Sequence, residues 1–578
     1  MKDHPAAITE INLAHEAEMP PLPMSIGTTL VNKTGTWRYF RPFYEDKTPP
    51  CNNACPAGED IVGYLALLKE GRYEEAWRLL TQENPFPGVC GRVCPHPCES
   101  ECNRIELGGA VAIHTLERFL ADEAAARKLS FVAAQRIDEE PVVVIGAGPA
   151  GLACAYHLAL WGHPVTVYEA AAKPGGMMRL IPPYRLPAHV LDREIANIEA
   201  LGVRILTGQR LGGNLSWGAL QHYQAVFLAV GQSRSRKLGI AGEKAEGVLS
   251  GIDFLARIER GEAVRLGRRV AIIGGGNTAM DAARTARRSG AEVTILYRRS
   301  RKEMPAAEAE ITEAEEEGIA IHYLTAPVKI WTENSRVKEL ECIKMALGEP
   351  DASGRPRPVP LPGSEHRIPV DTILPALGQE ADLSFLDETI QIAQGQIATD
   401  SATVTSRQGV FAGGDVATGY GTVAHAIGSG KRAALAIHHY LRGESLESFP
   451  PLSQAVHRAQ KSLSPTVVRL ENLNQDRLTF SARPSQRRLD AQTRQQSFDE
   501  VNLPLDEFTV RFEAERCFSC GICNACDTCL IHCPDVAIKR DGLGRYRIDY
   551  DYCKGCNICA VECPRDAMST EEESKWKE

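Results

Sequence analysis

Residues 142–151 read VVVIGAGPAG, and this stretch decides how the rest of the chain is read. A short apolar run ends in Gly146-Ala147-Gly148-Pro149-Ala150-Gly151. A helical pattern follows to Leu160, and a second strand-like run, His163 to Tyr168, ends at Glu169. This is the layout of a βαβ dinucleotide-binding unit. Gly146 permits the tight turn, Gly148 lets backbone approach a pyrophosphate, and Gly151 lets helix and strand pack closely. The helix N-terminus offers unpaired N–H groups to phosphate. Glu169 is placed to accept hydrogen bonds from ribose hydroxyls. A glycine-rich turn without a ligand is the bland alternative; the ordered sequence of strand, turn, helix, strand and acid weighs against it.

Working outward, Lys173–Pro187 holds Gly176, Met177 and Arg185 in a loop with a Gly-Gly pair and four prolines, suited to pressing backbone against a flat ring. Ala225–Gly231 is a buried strand ending in Gly231. A second unit starts at Arg269. Its turn is Gly274-Gly275-Gly276-Asn277-Thr278-Ala279, and its second strand ends in Arg298-Arg299 rather than an acid. A carboxylate at that point favours a free 2′-hydroxyl, whereas arginine accommodates a 2′-phosphate. The second unit should therefore hold NADP(H) rather than NAD(H), two solvated surface arginines being the alternative. The acidic helix Ala306–Glu317 reads as a solvated face. Two later strands, 371–378 and 409–415, read as a return to the first unit. They bring Gly414 and Asp415, and the helix that follows opens at Thr422-Val423 with its N-terminus placed for a flavin edge. A nicotinamide site needs no such late contribution, so the first unit should hold FAD.

The chain has 578 residues, enough for three or four domains, and a formal net charge of -9. That charge and the lack of a basic patch argue against nucleic acid. No run of 18 apolar residues and no signal sequence is present, so no membrane partner is expected and the cytoplasm is the default location. Of 18 cysteines, six lie in 51–102 and ten in 517–563. Without an export signal, such clusters read as metal ligands. Cys51-x3-Cys55 and Cys90-x3-Cys94-x3-Cys98-x3-Cys102 suit iron–sulfur binding, with zinc as the lesser alternative. At the other end, Cys523-x2-Cys526-x2-Cys529-x3-Cys533-Pro and Cys553-x2-Cys556-x2-Cys559-x3-Cys563-Pro form the two-cluster ferredoxin pattern, in which each fourth cysteine serves the other cluster. One set is then Cys523, Cys526, Cys529 and Cys563, the other Cys553, Cys556, Cys559 and Cys533.

The fold class is α/β: two interleaved Rossmann-like domains, an N-terminal α-helical iron–sulfur domain and a small α+β C-terminal ferredoxin domain. The expected boundaries are an extended arm over 1–50, the helical domain over 51–135, the FAD domain over 136–255 and 370–445, and the NAD(P)H domain over 256–369. A mostly irregular linker over 446–510 and the ferredoxin domain over 511–578 complete the chain.

In combination, CGRVCPHPCESEC, VIGAGPAG, PPYRLP, GGGNTAMDAAR, YRRSRKEMPA and FAGGD make residues 51–440 resemble the small (beta) subunit of NADPH-dependent glutamate synthase. The resemblance implies FAD in the first unit, NADP(H) in the second and three or four [4Fe-4S] clusters. No synthase domain is present. The appended ferredoxin module is similar to fused members that act as NAD(P)H:ferredoxin or NAD(P)H:acceptor oxidoreductases. The family's R-C-x-x-C lead-in is missing ahead of Cys51, while Arg516-Cys517-Phe-Ser-Cys520 looks like it, moved to the far end. By this likeness Cys51, Cys102, Cys517 and Cys520 make one cluster, and Cys55, Cys94 and Cys98 another with Glu117 as a carboxylate ligand. A single N-terminal cluster with Cys517 and Cys520 idle is the rival. Cys90, Cys154 and Cys342 are left as ordinary thiols. The expected function is electron transfer between NAD(P)H and a ferredoxin or partner redox enzyme docking near the ferredoxin domain, with no side-chain acid or base. The alternative is a non-catalytic wiring subunit of a larger complex: glutamate synthase-like, 2-oxoacid oxidoreductase or sulfur-metabolism reductase. A homo- or hetero-oligomer fits either.

Overall fold

The computed structural model describes residues 31–576 apart from 134, 136–140, 352–353, 420, 453, 457–462 and 543. The first thirty residues of the expected arm thus lie outside the described residues. The chain divides into two compact units. One comprises Cys51–Gln460 with Ser481–Cys517. The other comprises the described residues up to Pro50, Lys461–Phe480 and Phe518–Glu578.

In the larger unit, Val142–Ile145 is the centre of a five-stranded parallel sheet. It pairs with Val165–Tyr168 on one side and Ala225–Leu228 on the other, with Arg204–Leu206 and Val410–Ala412 at the edges. A parallel strand covered on both faces must be apolar throughout, and all four residues of Val142–Ile145 are buried. The helices Pro149–Leu160 and Val423–Leu441 cross closely, since a Cβ on Gly430 would stand 2.1 Å from the Ala150 carbonyl oxygen. A second parallel sheet runs Ala320–His322, Glu292–Leu296, Arg269–Ile273, Thr372–Pro375. Inserted in it is an antiparallel layer of Thr325–Glu333, Arg336–Pro350, Pro356–Pro360 and His366–Pro369.

Three expectations need correction here. The strand Thr372–Pro375 pairs with Arg269–Ile273 in the second sheet, so the return to the first sheet comes only at Val410–Ala412. An apolar run fits either sheet, and nothing local names the partner. The acidic helix, observed over Glu308–Glu316, is not simply solvated. Glu310, Glu313 and Glu317, spaced along one helical face, meet Arg284, which is fully buried, and Glu317 also meets Arg288. Burial alone would raise the Glu317 carboxyl, but the two guanidiniums outweigh it and hold it below its ordinary range. The stretch expected as a linker also packs. Arg494 of the helix Ala491–Gln496 is buried against Glu316, and Arg488 reaches Glu313.

The cysteine-bearing helices of this unit follow the expected pattern. Ile61–Lys69 buries Ile61, Tyr64, Leu65 and Leu68, and its N-cap Asp60 accepts from the Gly63 N–H at 3.2 Å. Tyr73–Thr81, Pro87–Val93 and Ile113–Ala126 complete the layer.

In the smaller unit, two short helices, Thr528–Ile531 and Ile558–Val561, accompany the hairpin of Ile538–Arg540 and Tyr546–Ile548. Over its described part the expected arm is extended and paired. Phe40–Tyr44 pairs antiparallel with Met568–Glu572, and Lys47–Thr48 pairs with Ser464–Val467. A prolines-and-aromatics stretch without a run of its own finds its hydrogen bonds in a strand more than 500 residues away.

Candidate functional site

The fingerprint loop opens on a cleft of about 490 Å³. Gly146 has φ 106°, and a Cβ there would meet the Ala229 carbonyl oxygen at 2.5 Å; a Cβ on Gly151 would meet the Gly146 carbonyl oxygen at 1.9 Å. Only glycine serves at either position. Gly148 faces open space, the nearest atom to its would-be Cβ being the Gly176 Cα at 4.0 Å. Glu169 does more than wait for a ribose. Its two oxygens accept from the Ala147 and Ala171 N–H groups, each at 2.7 Å, so it also fixes the loop.

Pro149, Ala150, Gly176, Met177, Gly231, Gly414, Asp415, Thr422 and Val423 line the same cleft. Asp415 supplies a test of what fits there. Its Oδ1 is buried with no hydrogen-bond partner among the described residues, and burial pushes its carboxyl up to about 6. A buried acceptor calls for a donor, and a sugar-alcohol hydroxyl of FAD is such a donor. Thr422 caps the helix Val423–Leu441, its side chain accepting from the His425 N–H at 3.3 Å. Arg185 departs from expectation. It borders the cleft, but its guanidinium is committed to Asp281 at 2.9 Å and Glu310 at 2.8 Å, and it ties its own loop to the helices Asn277–Arg288 and Glu308–Glu316 instead of presenting a free charge.

Asn277 and Thr278 of the second unit line this cleft as well. In that unit, Gly274 has φ 146° and a Cβ would meet the Ala376 carbonyl oxygen at 2.3 Å, while Gly275 lies against the Tyr297 ring, 2.6 Å from its would-be Cβ. Gly276 has room, with Pro305 the nearest neighbour at 3.9 Å. The arginine pair splits. Arg298 is exposed, whereas Arg299 is buried, donating to the Pro356 carbonyl at 2.8 Å and pairing with Asp351 at 2.5 Å. Arg299 therefore anchors the antiparallel layer, a role that strand-end position alone does not disclose.

Beside the cleft lies a small pocket lined by Cys55, Cys94, Cys98 and Glu117, and also by Cys90, Glu59, His96 and His114. Cys90, expected to be an ordinary thiol, thus shares the proposed ligand chamber. Asn84 donates to Glu59 at 2.8 Å and to Glu117 at 2.9 Å. Burial pushes both carboxyls up, Glu59 to about 7, and raises the Cys55 and Cys98 thiols. The donor set of soft sulfur in an apolar chamber fits an iron–sulfur cluster, whose iron keeps its thiolates deprotonated. Sequence reading missed the His96–Glu99–His114 group. The two rings stack 3.8 Å apart, and His114 Nδ1 lies 2.6 Å from Glu99. Isolated histidines carry no spacing signal, so only the fold brings them together.

The wall between cleft and pocket is one residue thick in two places. Val93 and Pro95 face the cleft while Cys94 and His96 face the pocket; Val423 and Ala426 face the cleft while Ala424 faces the pocket.

The remaining cysteines group as follows. Cys102 and Cys517 both act on the Arg104 guanidinium, and Cys51 acts on the Cys98 thiol, all within the larger unit. Arg516, next to Cys517, donates to the Gly108 and Gly109 carbonyls, and the Ala112 N–H donates to Glu513. Cys520 belongs to the smaller unit. There, Cys533, Cys553, Cys556 and Cys559 line one small pocket. Cys523, Cys526 and Cys563 all act on the Cys529 thiol, which also meets the Tyr44 hydroxyl at 3.3 Å.

Residues 140–430 match the family model described as pyridine nucleotide-disulphide oxidoreductase. The chain belongs to this family. Residues 44–129 match the 4Fe-4S cluster domain II of dihydropyrimidine dehydrogenase, and residues 546–569 match a 4Fe-4S binding domain. The beta subunit of NADP(+)-dependent formate dehydrogenase from Moorella thermoacetica is 41% identical over 523 residues, covering 83% of this chain and 71% of the relative. The beta subunit of NADPH-Fe(3+) oxidoreductase from Geobacter sulfurreducens is 40% identical over 519 residues, covering 83% and 76%. The small chain of NADPH glutamate synthase from Escherichia coli is 35% identical over 424 residues, covering 68% and 89%. The resemblance read from the motifs holds. The family member described here is an iron–sulfur flavoprotein oxidoreductase. Among the described residues, no helix is long and apolar enough to cross a membrane.

Proposed function

We propose that this chain exchanges electrons between NADPH and a partner redox enzyme or ferredoxin. The observation that carries the reading is the single cleft lined by both dinucleotide loops, with Gly148 and Gly176 on one side and Asn277 and Thr278 on the other. Such a cleft brings a nicotinamide and a flavin ring together. FAD, when bound, accepts a hydride and returns single electrons, which [4Fe-4S] clusters relay.

The chain's own residues bind and orient. Glu169 and the glycines fix the first loop. Asp415 offers a buried acceptor, and Thr422 and Val423 present a helix N-terminus. Val93–His96 and Val423–Ala426 would hold ring and cluster on opposite sides of one wall. Cys55, Cys94, Cys98 and Glu117 are the proposed ligands of that cluster, with Cys90 as the competing donor for the fourth place. Cys51, Cys102 and Cys517 are proposed for another; the likeness to the family's R-C-x-x-C lead-in is what suggests Cys520 as its fourth. The two cysteine sets of the smaller unit hold the last pair. No side chain is assigned as general acid or base. The relatives named as beta subunits support a partner subunit as acceptor or donor.

Anaerobic stopped-flow mixing of the isolated chain with NADPH tests the reading. Rapid bleaching of the flavin, followed by cluster reduction, is expected. Flavin that stays oxidised while dithionite reduces the clusters would favour the second reading, a wiring subunit that only conducts.

A further inference from the structure

The helix Val423–Leu441 meets two parts of the larger unit along two adjacent stripes. Val423, Ala426 and Gly430 are three or four residues apart and face the first dinucleotide unit. Val423 and Ala426 line the cleft, and Gly430 lies against the Ala150 carbonyl oxygen. Ala424, Gly428 and Lys431 repeat that spacing and face the cysteine-bearing layer. Ala424 lines the pocket of Cys55, Cys94 and Cys98. A Cβ on Gly428 would stand 2.0 Å from the Pro56 carbonyl oxygen. Lys431 donates to the Ala57 carbonyl and pairs with Glu83 at 2.7 Å.

Lysine is almost never fully buried unless it is paired, and Lys431 is 1% exposed. The chain after Cys55 is built around it. The Gly58 N–H closes a turn on the Cys55 carbonyl at 2.9 Å, Gly58 has φ 68°, and a Cβ there would stand 2.9 Å from the Lys431 Nζ. The helix thus grips Pro56 and Ala57, the two residues that follow a proposed cluster ligand. Neither Gly428 nor Lys431 lines the cleft or the pocket, and neither carries a sulfur. Their contacts fix spacing: they hold the cysteine turn against the helix whose first turn borders the cleft.

We propose that Gly428 and Lys431 are positioning residues for electron transfer: they set the thickness of the wall between the dinucleotide cleft and the cysteine pocket, and so the gap an electron crosses. The inference rests on the electron-exchange reading above and deepens it, adding no chemical step. Electron transfer through protein falls off exponentially with distance, so a wall of fixed thickness fixes the rate. A contact of backbone on backbone makes a stiffer spacer than one between flexible side chains. Gly428 on Pro56 is such a contact, and the buried ion pair of Lys431 pins the same segment one helical turn further on.

The test uses the full flavin- and cluster-loaded chain, partly reduced and perturbed by a temperature jump. Relaxation of the flavin and cluster absorbance then reads exchange between them without the hydride step. In Gly428→Ala the added methyl meets backbone, which no side-chain rotation relieves, so the wall must widen. Relaxation should slow by about ten- to a hundredfold, the scale on which a misplacement of about 1 Å acts on a positioned reaction. Lys431→Arg keeps the charge and adds bulk beside Gly58, and it should slow relaxation in the same sense. In both variants the rate of flavin bleaching by NADPH, the flavin and iron per chain and the midpoint potentials should match the unaltered protein. Slowed relaxation at unchanged potentials in either loaded variant upholds the assignment. Unchanged relaxation in both would overturn it and leave the electron-exchange reading intact; so would loss of flavin and iron in both, which would make the contact one of assembly. An unaltered chain that shows neither bleaching nor relaxation would overturn the electron-exchange reading itself, and the positioning role with it.

Discussion

Glu169 binds two backbone N–H groups with two oxygens, and an amide cannot repeat that. In Glu169→Gln one of those N–H groups faces an NH₂ donor, at a cost of about 1–3 kcal/mol. Flavin per purified chain should fall severalfold, read from the ratio of flavin to protein absorbance. Asp415 behaves differently, because its charge is disfavoured by burial. Its carboxyl lies at about 6 in the folded chain against an ordinary 3.8. The folded state holds the proton more tightly than the unfolded state, so this group favours folding at pH below about 4 and that contribution is lost as pH rises from about 4 to 6. In flavin-stripped protein, Asp415→Asn should flatten this part of the stability profile and raise stability at pH 7 by on the order of 1–2 kcal/mol, the value being discounted for partial exposure. Thermal melts across pH 4–7 check it. The same variant should bind flavin more weakly, because the buried acceptor is then a poorer one.

Among elements, the helix Glu308–Glu316 and its continuation to Glu317 test how far pattern goes. Arg284 and Glu317 are each 0% exposed, and Arg288 closes on the same carboxylate. Removing one partner from such a group leaves a buried charge unpaired. Glu317→Ala should therefore destabilise the chain by about 3–5 kcal/mol in denaturant unfolding, whereas Glu308→Ala, on the exposed side, should change little. A run of glutamates looks the same in sequence whether its face meets water or arginine, so this burial was not legible. The strand Thr372–Pro375 was hidden for a related reason. Its apolar residues declare a buried strand, but its sheet is set by a partner a hundred residues earlier. The glycine-rich turns were legible because their requirement is local: Gly146, Gly151 and Gly274 each leave no space for a Cβ. The C-x2-C-x2-C-x3-C-P run at Cys553–Cys563 was legible as part of a 4Fe-4S binding domain because its spacing is a local pattern. Arg299 sits between these cases. Its position predicts a cation at a strand end, and only the fold shows that Asp351 has already claimed it.

At the scale of the whole chain, cofactor content reports which stretches build which site. If Cys517 serves with Cys51 and Cys102, the Cys517→Ala, Cys520→Ala variant should lose one cluster's iron and keep its flavin. Unchanged iron and EPR spectrum would leave Cys517 idle. The beginning of the described chain makes a sharper case. Phe40–Tyr44 supplies the partner strand to Met568–Glu572, Arg38 pairs with Glu573, and the Tyr44 hydroxyl meets Cys529. An unpaired Met568–Glu572 would expose a bare strand edge, in a unit whose core is small and rich in cysteine. Such small cores depend on their metals and on every paired strand. Deleting residues 1–48 should therefore cost the iron and acid-labile sulfide of both ferredoxin-type clusters. Flavin per chain should stay near its full value, because among the described residues neither Glu169 nor Asp415 draws on that stretch. Parallel loss of flavin and iron would mean that the deletion unfolds the chain as a whole; full retention of iron would mean that the edge strand is dispensable.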